Sequence, residues 1–242
     1  MQSMSIGSWI TISSPQVAEV MADAGFDWLC IDMEHSSSDF VDVQQMMVAI
    51  QSKNVRVFVR VGANDPLIIK RVLDSGADGI IVPSVNSKEE ALKAIQCMKY
   101  PPLGTRGVGL ARAQGYGFDF ENYRDNIAPN IPLIVQIEHI NAIKELDSIL
   151  ELEGVDGSFI GPYDLSGSLG KPGQYNDEDV KNAIEEYETI AKKYNKLIGF
   201  HVVSPDFQLV EEKKRKGYNF IAFSFDAFFL GTAIRDQLKH LK

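Results

Sequence analysis

Eight short apolar segments alternate with segments of helical periodicity, and this alternation constrains the fold more than any other feature. The predicted strands are 6–12, 28–33, 55–61, 79–83, 133–138, 157–161, 197–202 and 220–225. The predicted helices that follow them are 15–24, 39–52, 66–75, 88–98, 142–150, 177–194, 206–216 and 226–240. Eight βα units in 242 residues fit a closed barrel better than an open doubly wound sheet. We therefore predict an α/β fold, a single (β/α)8 TIM barrel that spans residues 1–242.

Turn residues support these boundaries. The segments Ser14-Pro15, Asn64-Asp65-Pro66 and Ser204-Pro205-Asp206 indicate capped helix starts, and Gly217 stands where a helix should stop. Three helix-to-strand joints share a glycine followed two residues later by an aspartate: Gly25 and Asp27, Gly76 and Asp78, Gly154 and Asp156. We expect each of these glycines to adopt a left-handed turn. The longest irregular segment, 99–130, is expected to be functional because structureless loops of this length are uncommon in compact domains.

Composition excludes several classes of protein. The formal charge of -9 argues against a nucleic-acid partner, which requires clustered cations, and the basic run 213–216 is interpreted as a solvated helix end. The two cysteines do not form a disulfide framework, and Cys30 is predicted to be a buried thiol. No apolar run approaches the length of a membrane span. We expect a cytoplasmic protein that binds no membrane.

Two acids mark the ends of neighbouring predicted strands. Glu138 ends one strand, Asp164 lies just past the next, and Gln136 shares the strand face of Glu138. In a TIM barrel the carboxyl ends of the strands meet at one rim, where the chemistry takes place. Two carboxylates with open positions for water and substrate suit Mg²⁺ or Mn²⁺ better than zinc. The alternative is that both acids only cap the helices that follow.

Further polar residues fall at the same predicted rim. His35 is a candidate for proton transfer, since imidazole can both take up and release a proton, and Asp32 or Glu34 could orient it; the alternative is a histidine packed in a loop. Arg60 could stabilise an oxyanion or enolate, or could form a structural ion pair in the barrel mouth. His139 is expected to face away from Glu138, and His201 is a weaker candidate for a supporting role.

These segments resemble the HpcH/HpaI aldolases in order along nearly the whole chain. The matching residues lie in 26–35, 59–61, 80–83, 101–109, 136–138 and 154–166, including Asp32-Met33-Glu34-His35 and Gly161-Pro162-Tyr163-Asp164-Leu165-Ser166. The resemblance implies a class II aldolase that cleaves a 4-hydroxy-2-oxo acid, such as a 2-keto-3-deoxy sugar acid, to pyruvate and an aldehyde through a metal-stabilised enolate.

The resemblance also implies roles for individual residues. Glu138 and Asp164 would hold the divalent metal (Mg²⁺ or Mn²⁺, with Co²⁺ as an alternative), Arg60 would contact the pyruvate oxygen, and Gln136 would support the substrate. His35, oriented by Asp32, would belong to the proton-transfer system, and the backbone of Gly161, Pro162, Tyr163 and Asp164 would receive the substrate carboxylate. Relatives assemble as hexamers through the C-terminal helix, where residues 228–241 carry an apolar stripe here, so a homo-oligomer is expected.

Some chemistry is disfavoured. No lysine lies at the carboxyl end of a predicted strand to form a Schiff base. The loops that begin at Val203 and Phe225 lack the glycines of a phosphate site, so an unphosphorylated aldehyde is expected. The chain departs from many relatives at two places. Relatives carry a serine after the glycine that corresponds to Gly109, whereas Leu110 follows directly here, and 223–226 replaces a segment that contains glycine in relatives. The alternatives are a related lyase acting on oxaloacetate or a CoA-linked substrate, and a barrel that binds keto acids without turnover.

Overall fold

A computed structural model describes residues 4–241 and has eight parallel strands in one closed barrel, β1 to β8, each paired with its neighbours in the sequence. The strands are β1 Ser5–Ile10, β2 Trp28–Asp32, β3 Arg56–Arg60, β4 Gly79–Val82, β5 Leu133–Ile137, β6 Gly157–Ile160, β7 Leu197–Val202 and β8 Phe220–Phe225. The predicted (β/α)8 barrel is confirmed, and each observed strand overlaps its predicted segment. The carboxyl ends of all eight strands lie at one rim because the strands are parallel.

The helices surround the barrel. They are α1 Pro15–Asp23, α2 Phe40–Gln51, α3 Pro66–Ser75, α4 Lys88–Met98, α5 Phe120–Asn122, α6 Ile140–Lys144, α7 Leu146–Leu150, α8 Pro162–Ser168, α9 Glu178–Ala191, α10 Phe207–Arg215 and α11 Asp226–Leu238. The predicted caps are present: Ser14, Asp65 and Asp206 each accept a backbone N–H from the first turn of the helix that follows. None of the helices in 4–241 is long and apolar enough to cross a membrane.

Two regions differ from the prediction. The helix predicted over 142–150 is divided into α6 and α7 at Glu145, whose ψ of 0° departs from helical geometry. The segment 99–130 is not structureless, since it contains α5 and further short helical turns within 112–130. Its Arg106 is buried, donates to Asp74 of α3 at 2.7 Å and to the Tyr123 hydroxyl at 3.1 Å, and lies over the Tyr100 ring. These contacts fix the segment to the outside of the barrel.

The barrel interior is filled largely by aromatic side chains. Trp28 of β2 stacks on Phe220 of β8 with ring centroids 4.1 Å apart, and Phe58 meets both rings edge-on. Gly7 of β1 makes room for this layer, because a Cβ there would lie 2.1 Å from the Trp28 ring. Cys30 is fully buried in the same layer, as predicted, and burial raises the pKa of its thiol. The interior is therefore a packed core that forms the floor beneath the rim.

At the amino-terminal end of the barrel, one hydrogen-bonded arrangement is repeated four times. The residue just before each even-numbered strand donates its N–H to the carbonyl of one residue in the preceding odd-numbered strand. Its side chain accepts the N–H of the residue that owns this carbonyl. The pairs are Asp27 with Ile6, Asp78 with Val57, Asp156 with Leu133 and Asn219 with Ile198, and the side-chain bonds measure 2.7, 2.9, 2.8 and 2.8 Å. Three of these positions belong to the glycine–aspartate joints found in the sequence. The fourth has asparagine, whose amide oxygen accepts in the same way.

The glycines at these joints do not all act alike. Gly25, Gly76 and Gly217 have φ of 96°, 102° and 97°, as expected for left-handed turns that end helices. The prediction for Gly154 is wrong, since its φ lies outside the left-handed region. A Cβ at Gly154 would lie 2.7 Å from Ile95 Cγ2 of α4, so close packing requires this glycine.

Candidate active site

A cavity of about 400 Å³, here called the site cavity, opens at the carboxyl rim of the barrel. The residues that line it include Glu34, His35, Ser84, Asn86, Glu138, His139 and Asp164. They come from the segments that follow β2, β4, β5 and β6, and Asp164 lies in the first turn of α8. The structure thus brings together His35, Glu138 and Asp164, which lie far apart in the sequence.

Arg60, the last residue of β3, is fixed by two acids at the carboxyl end of β2, Asp32 and Glu34. Asp32 and Arg60 are direct partners in the parallel register, and Arg60 donates to both Asp32 oxygens at 2.9 and 2.6 Å. A third guanidinium nitrogen lies 3.2 Å from Glu34 Oε2. Burial alone would raise the pKa of Asp32, but the bonds and charge of Arg60 outweigh burial and hold this pKa below its usual value. Burial raises the pKa of Glu34, in spite of the nearby Arg60.

Glu138 stands immediately after β5 in a buried, polar setting. One carboxylate oxygen accepts from the Gln136 amide at 2.6 Å, and the other accepts from the Ser84 N–H at 3.0 Å. Burial raises the pKa of Glu138 to about 7, and the charges of Glu34 and Asp164 act in the same direction. Ser84 reaches this position with φ of 53°, in the left-handed region that is sparsely occupied by residues other than glycine. The strained turn delivers the amide that fixes the carboxylate.

Asp164 approaches Glu138 from the first turn of α8. Gly161 precedes this helix, and a Cβ there would lie 2.9 Å from Glu138 Oε1, so only glycine leaves the carboxylate in place. Pro162 occupies the first turn, where it has no N–H to satisfy. No helix was predicted over 162–168, yet α8 begins at Pro162. The N–H groups of Tyr163 and Asp164 therefore fall in its first turn and have no intrahelical acceptor.

His35 lies at the edge of the cavity, with its side chain 67% exposed and Nε2 3.7 Å from Glu34 Oε2. Asp32 does not contact the imidazole; its Oδ1 accepts the backbone N–H of His35 at 3.2 Å. Asp32 therefore positions the loop that carries His35. Glu34 is the carboxylate beside the ring.

The two remaining candidate histidines have distinct environments. His139 lines the site cavity, contrary to expectation, and its Nδ1 accepts the Asn141 N–H at 3.1 Å to cap α6. His201 of β7 lies beneath the rim, 3.2 Å from the Ser224 carbonyl oxygen, and burial lowers its pKa to about 4. It is therefore neutral. Its ring meets Trp9, over which the Arg60 guanidinium lies at 4.5 Å, so His201 supports the floor under Arg60.

The departure from relatives at 223–226 has a structural counterpart. The register between β1 and β8 shifts after Ala222, and Ser224 adopts φ of 52° within this bulge. Ser224 is fully buried and its hydroxyl has no hydrogen-bond partner within residues 4–241. A glycine would adopt this conformation without strain. The serine therefore carries a conformational cost that glycine would not.

The donor set at the rim fits a divalent cation bound by few protein ligands. Within residues 4–241 no three His, Cys, Asp or Glu side chains converge as a metal cluster. Glu138 and Asp164 supply two carboxylates, the number expected where water and substrate fill the other positions. Within residues 4–241, Glu34 Oε2 and Gln136 Oε1 are buried and accept no hydrogen bond, although the Glu34 oxygen forms an ion pair with Arg60 at 3.2 Å. Four acids share this rim with Arg60, so negative charge there is only partly neutralised.

Two functional features were not assigned from the sequence. Glu34 was considered only as a partner for His35, but it also pairs with Arg60 at 3.2 Å, and the charge of Asp164 acts on it. Ser84 carried no signal, because neither the residue type nor its place after β4 indicates that its N–H would bind Glu138. The Arg60 and Glu138 contacts each join the ends of two neighbouring strands, β2 with β3 and β4 with β5, and depend on loop conformations that the sequence does not specify.

Comparison with known families gives a match over nearly the whole chain. The family model described as HpcH/HpaI aldolase/citrate lyase matches residues 5–233. The hydroxypyruvate/pyruvate aldolase of Roseobacter denitrificans is 38% identical over 229 residues, which cover 93% of this chain and 88% of that protein. The 2-keto-3-deoxy-L-rhamnonate aldolase of Klebsiella pneumoniae is 36% identical over 239 residues, which cover 98% and 88%.

A solved structure shares the same architecture. A HpcH/HpaI aldolase/citrate lyase family protein from Burkholderia cenocepacia superposes with a TM-score of 0.93 at 32% identity, covering 99% of this chain and 95% of that one. The chain therefore belongs to the HpcH/HpaI aldolase/citrate lyase family and is an aldolase, a carbon–carbon lyase.

Proposed function

We propose that the protein is a divalent-metal-dependent class II aldolase that reversibly cleaves a 4-hydroxy-2-oxo acid to pyruvate and an aldehyde. The relatives named as 2-keto-3-deoxy-L-rhamnonate aldolases support a 2-keto-3-deoxy sugar acid as substrate. The observation that carries the proposal is the buried Glu138 carboxylate, held by Gln136 and Ser84 beside Asp164. Burial raises the pKa of this carboxyl to about 7 in spite of the charge of Arg60, and a bound cation would supply the further positive charge that favours the ionised form.

Glu138 and Asp164 would hold the cation, with Mg²⁺ or Mn²⁺ favoured and Co²⁺ as an alternative. When bound, such a cation would polarise the keto and carboxylate oxygens of the substrate. Gln136 keeps the Glu138 carboxylate in position through the 2.6 Å bond, and its own amide oxygen accepts no hydrogen bond within residues 4–241. The first-turn N–H groups of Tyr163 and Asp164 are suited to the substrate carboxylate, since helix N-termini favour anions.

Arg60 serves the oxygen on which negative charge develops. Cleavage of the C3–C4 bond leaves its electron pair on the pyruvate fragment, where the pair delocalises onto the C2 oxygen. The guanidinium is held at both ends, by Asp32 and Glu34, so it would stabilise this charge without reorganising. The ion pair considered as an alternative for Arg60 is present, and we infer that it orients the guanidinium for this task.

His35 is the proposed base. In the cleavage direction it would take the proton of the C4 hydroxyl as that carbon becomes the aldehyde, and the C3 carbon of the pyruvate fragment would then gain a proton. The exposed ring at the cavity edge can reach a substrate group in the cavity, and Glu34 would stabilise the imidazolium that forms. Asp32 contributes by fixing the loop through the backbone of His35.

The test removes the proposed ligands one at a time. Glu138→Gln and Asp164→Asn should abolish metal-dependent aldol cleavage while the circular dichroism spectrum stays that of the native barrel. Lys88→Met, on α4 and outside the site cavity, serves as a folded control with an altered surface charge. Wild-type turnover that survives exhaustive chelation would contradict the metal assignment.

We also propose that the protein assembles as a homo-oligomer, and specifically as a hexamer. Several apolar side chains of the C-terminal segment are exposed: Phe228, Leu230, Ile234, Leu238 and Leu241. Phe229 of the same helix instead packs on Phe223 and Phe26 of the barrel. A row of exposed apolar side chains on one helix is typical of a face covered by another subunit. The cytoplasmic location remains a prediction.

A further inference from the structure

A second cavity of about 260 Å³, here called the side cavity, adjoins the site cavity. The two cavities share Glu34 and Ser84, which form the boundary between them. The outer wall of the side cavity is formed by Ala63 and Asn64 of the β3–α3 loop and by Glu90 and Lys93 of α4. The proposed mechanism assigns no role to this space.

The walls of the side cavity are fixed by local bonds. The Asn64 amide donates to the Glu90 carbonyl at 2.8 Å, which ties the β3–α3 loop to α4. The Glu90 carboxylate accepts the Asn86 N–H at 2.6 Å through Oε2, so the side chain is held while Oε1 stays available. Glu90 and Lys93 stand three residues apart on α4 and therefore on one helix face.

Lys93 supplies hydrogen-bond donors to this space. It is exposed and takes part in none of the ion pairs found among residues 4–241. Its ammonium group can only donate, whereas the Glu90 carboxylate can only accept. A donor and an acceptor on one wall suit hydroxyl groups, which do both. One cation against the two carboxylates Glu34 and Glu90 does not suit a second carboxylate on the ligand.

We propose that the side cavity binds the distal, hydroxylated part of the aldehyde, with Lys93 and Glu90 as the residues that determine acceptor specificity. The inference rests on the proposed aldolase function, which places pyruvate in the site cavity against Glu138 and Asp164. The carbon chain beyond C4 can then extend past the boundary residues Glu34 and Ser84 into the side cavity, which adjoins the site cavity there. A volume of 260 Å³ equals that of roughly eight or nine water molecules, which accommodates a hydroxylated chain of about three carbons.

The experiment compares two acceptors with pyruvate as donor: glyceraldehyde, which is hydroxylated and uncharged, and acetaldehyde, which is too short to reach the side cavity. Lys93→Met removes the donor without adding bulk, and Ala63→Phe fills the cavity without changing its charge. Each should lower the ratio of kcat/KM for glyceraldehyde to that for acetaldehyde about tenfold. The matched control is Lys88→Met, which makes the same change on the same helix outside both cavities. The control should keep the wild-type ratio.

The outcomes separate this inference from the function on which it rests. An unchanged ratio in both Lys93→Met and Ala63→Phe overturns the side-cavity assignment, as does an equal loss with both acceptors. Exchange of the pyruvate methyl protons for deuterium by the wild-type enzyme, measured by NMR, tests the aldolase function itself. Exchange in the wild type with unchanged ratios in the variants would refute the side-cavity inference alone, whereas no exchange would refute both.

Discussion

Replacing Glu138 by glutamine should make the metal-free protein relatively more stable as the pH rises. The folded protein holds the Glu138 pKa at about 7, against 4.5 for an unperturbed glutamate. A carboxyl group whose pKa is raised on folding contributes stability below its unfolded pKa, and loses that contribution as the pH rises through the folded pKa. Glutamine does not titrate, so the variant lacks this loss.

The magnitude follows from the two pKa values. Linkage over the interval gives a loss of about 2.5 kcal/mol for the wild type between pH 5 and pH 8. Glu138 is only 8% exposed, so solvent screening reduces the figure little. Glutamine also costs stability at every pH, because its single oxygen cannot accept from both Gln136 and Ser84. That cost is an offset, and the change with pH is the diagnostic quantity.

The assay is urea unfolding of both proteins in excess chelator at pH 5, 6, 7 and 8. The free energy of unfolding of Glu138→Gln minus that of the wild type should increase by about 2.5 kcal/mol across this range. A difference that stays constant with pH would show that Glu138 ionises normally. The account of the site as a buried carboxylate lacking a cation would then be wrong.

Three further predictions address the mechanism, the strand bulge and the assembly. His35→Ala should reduce aldol cleavage about 10²–10⁴-fold but oxaloacetate decarboxylation less, because decarboxylation needs no hydroxyl deprotonation. Arg60→Ala should depress both reactions. Equal losses of the two activities in His35→Ala, measured in parallel kinetics, would exclude His35 as the base. Ser224→Gly should stabilise the protein by about 1 kcal/mol, because relief of left-handed strain of about 1–2 kcal/mol exceeds the added entropy of the unfolded chain, and a lower melting temperature would contradict this. Light scattering should give an oligomer, with a hexamer mass expected, and a monomer mass across micromolar concentrations would exclude assembly.

The strands and most helices could be predicted because their signals are local. Each strand is an apolar run that ends near turn residues, and caps such as Asp65 mark the helix starts. The helix α8 was missed because it has only seven residues, too few for a hydrophobic period, although Pro162 marks its start. The break at Glu145 also lacked a signal, since no glycine or proline stands there.

The candidate site could be predicted as a set of residues but not as a network. Strand-end positions identified Arg60, Glu138 and Asp164, because parallel strands end at one rim. Whether Asp32 or Glu34 lies beside Arg60 or His35 depends on side-chain directions that cannot be predicted from the sequence. The resemblance to relatives implied that Asp32 orients His35. In the structure Asp32 holds the backbone of His35, and Glu34 is the carboxylate beside the ring. The side cavity likewise depends on two loops whose separation only the folded barrel sets.

Four reciprocal hydrogen-bonded pairs at the amino-terminal end, formed by Asp27, Asp78, Asp156 and Asn219 and here called locks, divide the barrel into four two-strand modules. Each lock joins an odd-numbered strand to the even-numbered strand that follows it, as Asp27 joins β1 to β2, and none joins one pair to the next. A chain interrupted between pairs, for instance between α4 and β5, keeps every lock within a fragment. An interruption inside a pair divides one lock between two fragments. Fragment complementation and circular permutation of this barrel should therefore succeed with a period of two βα units.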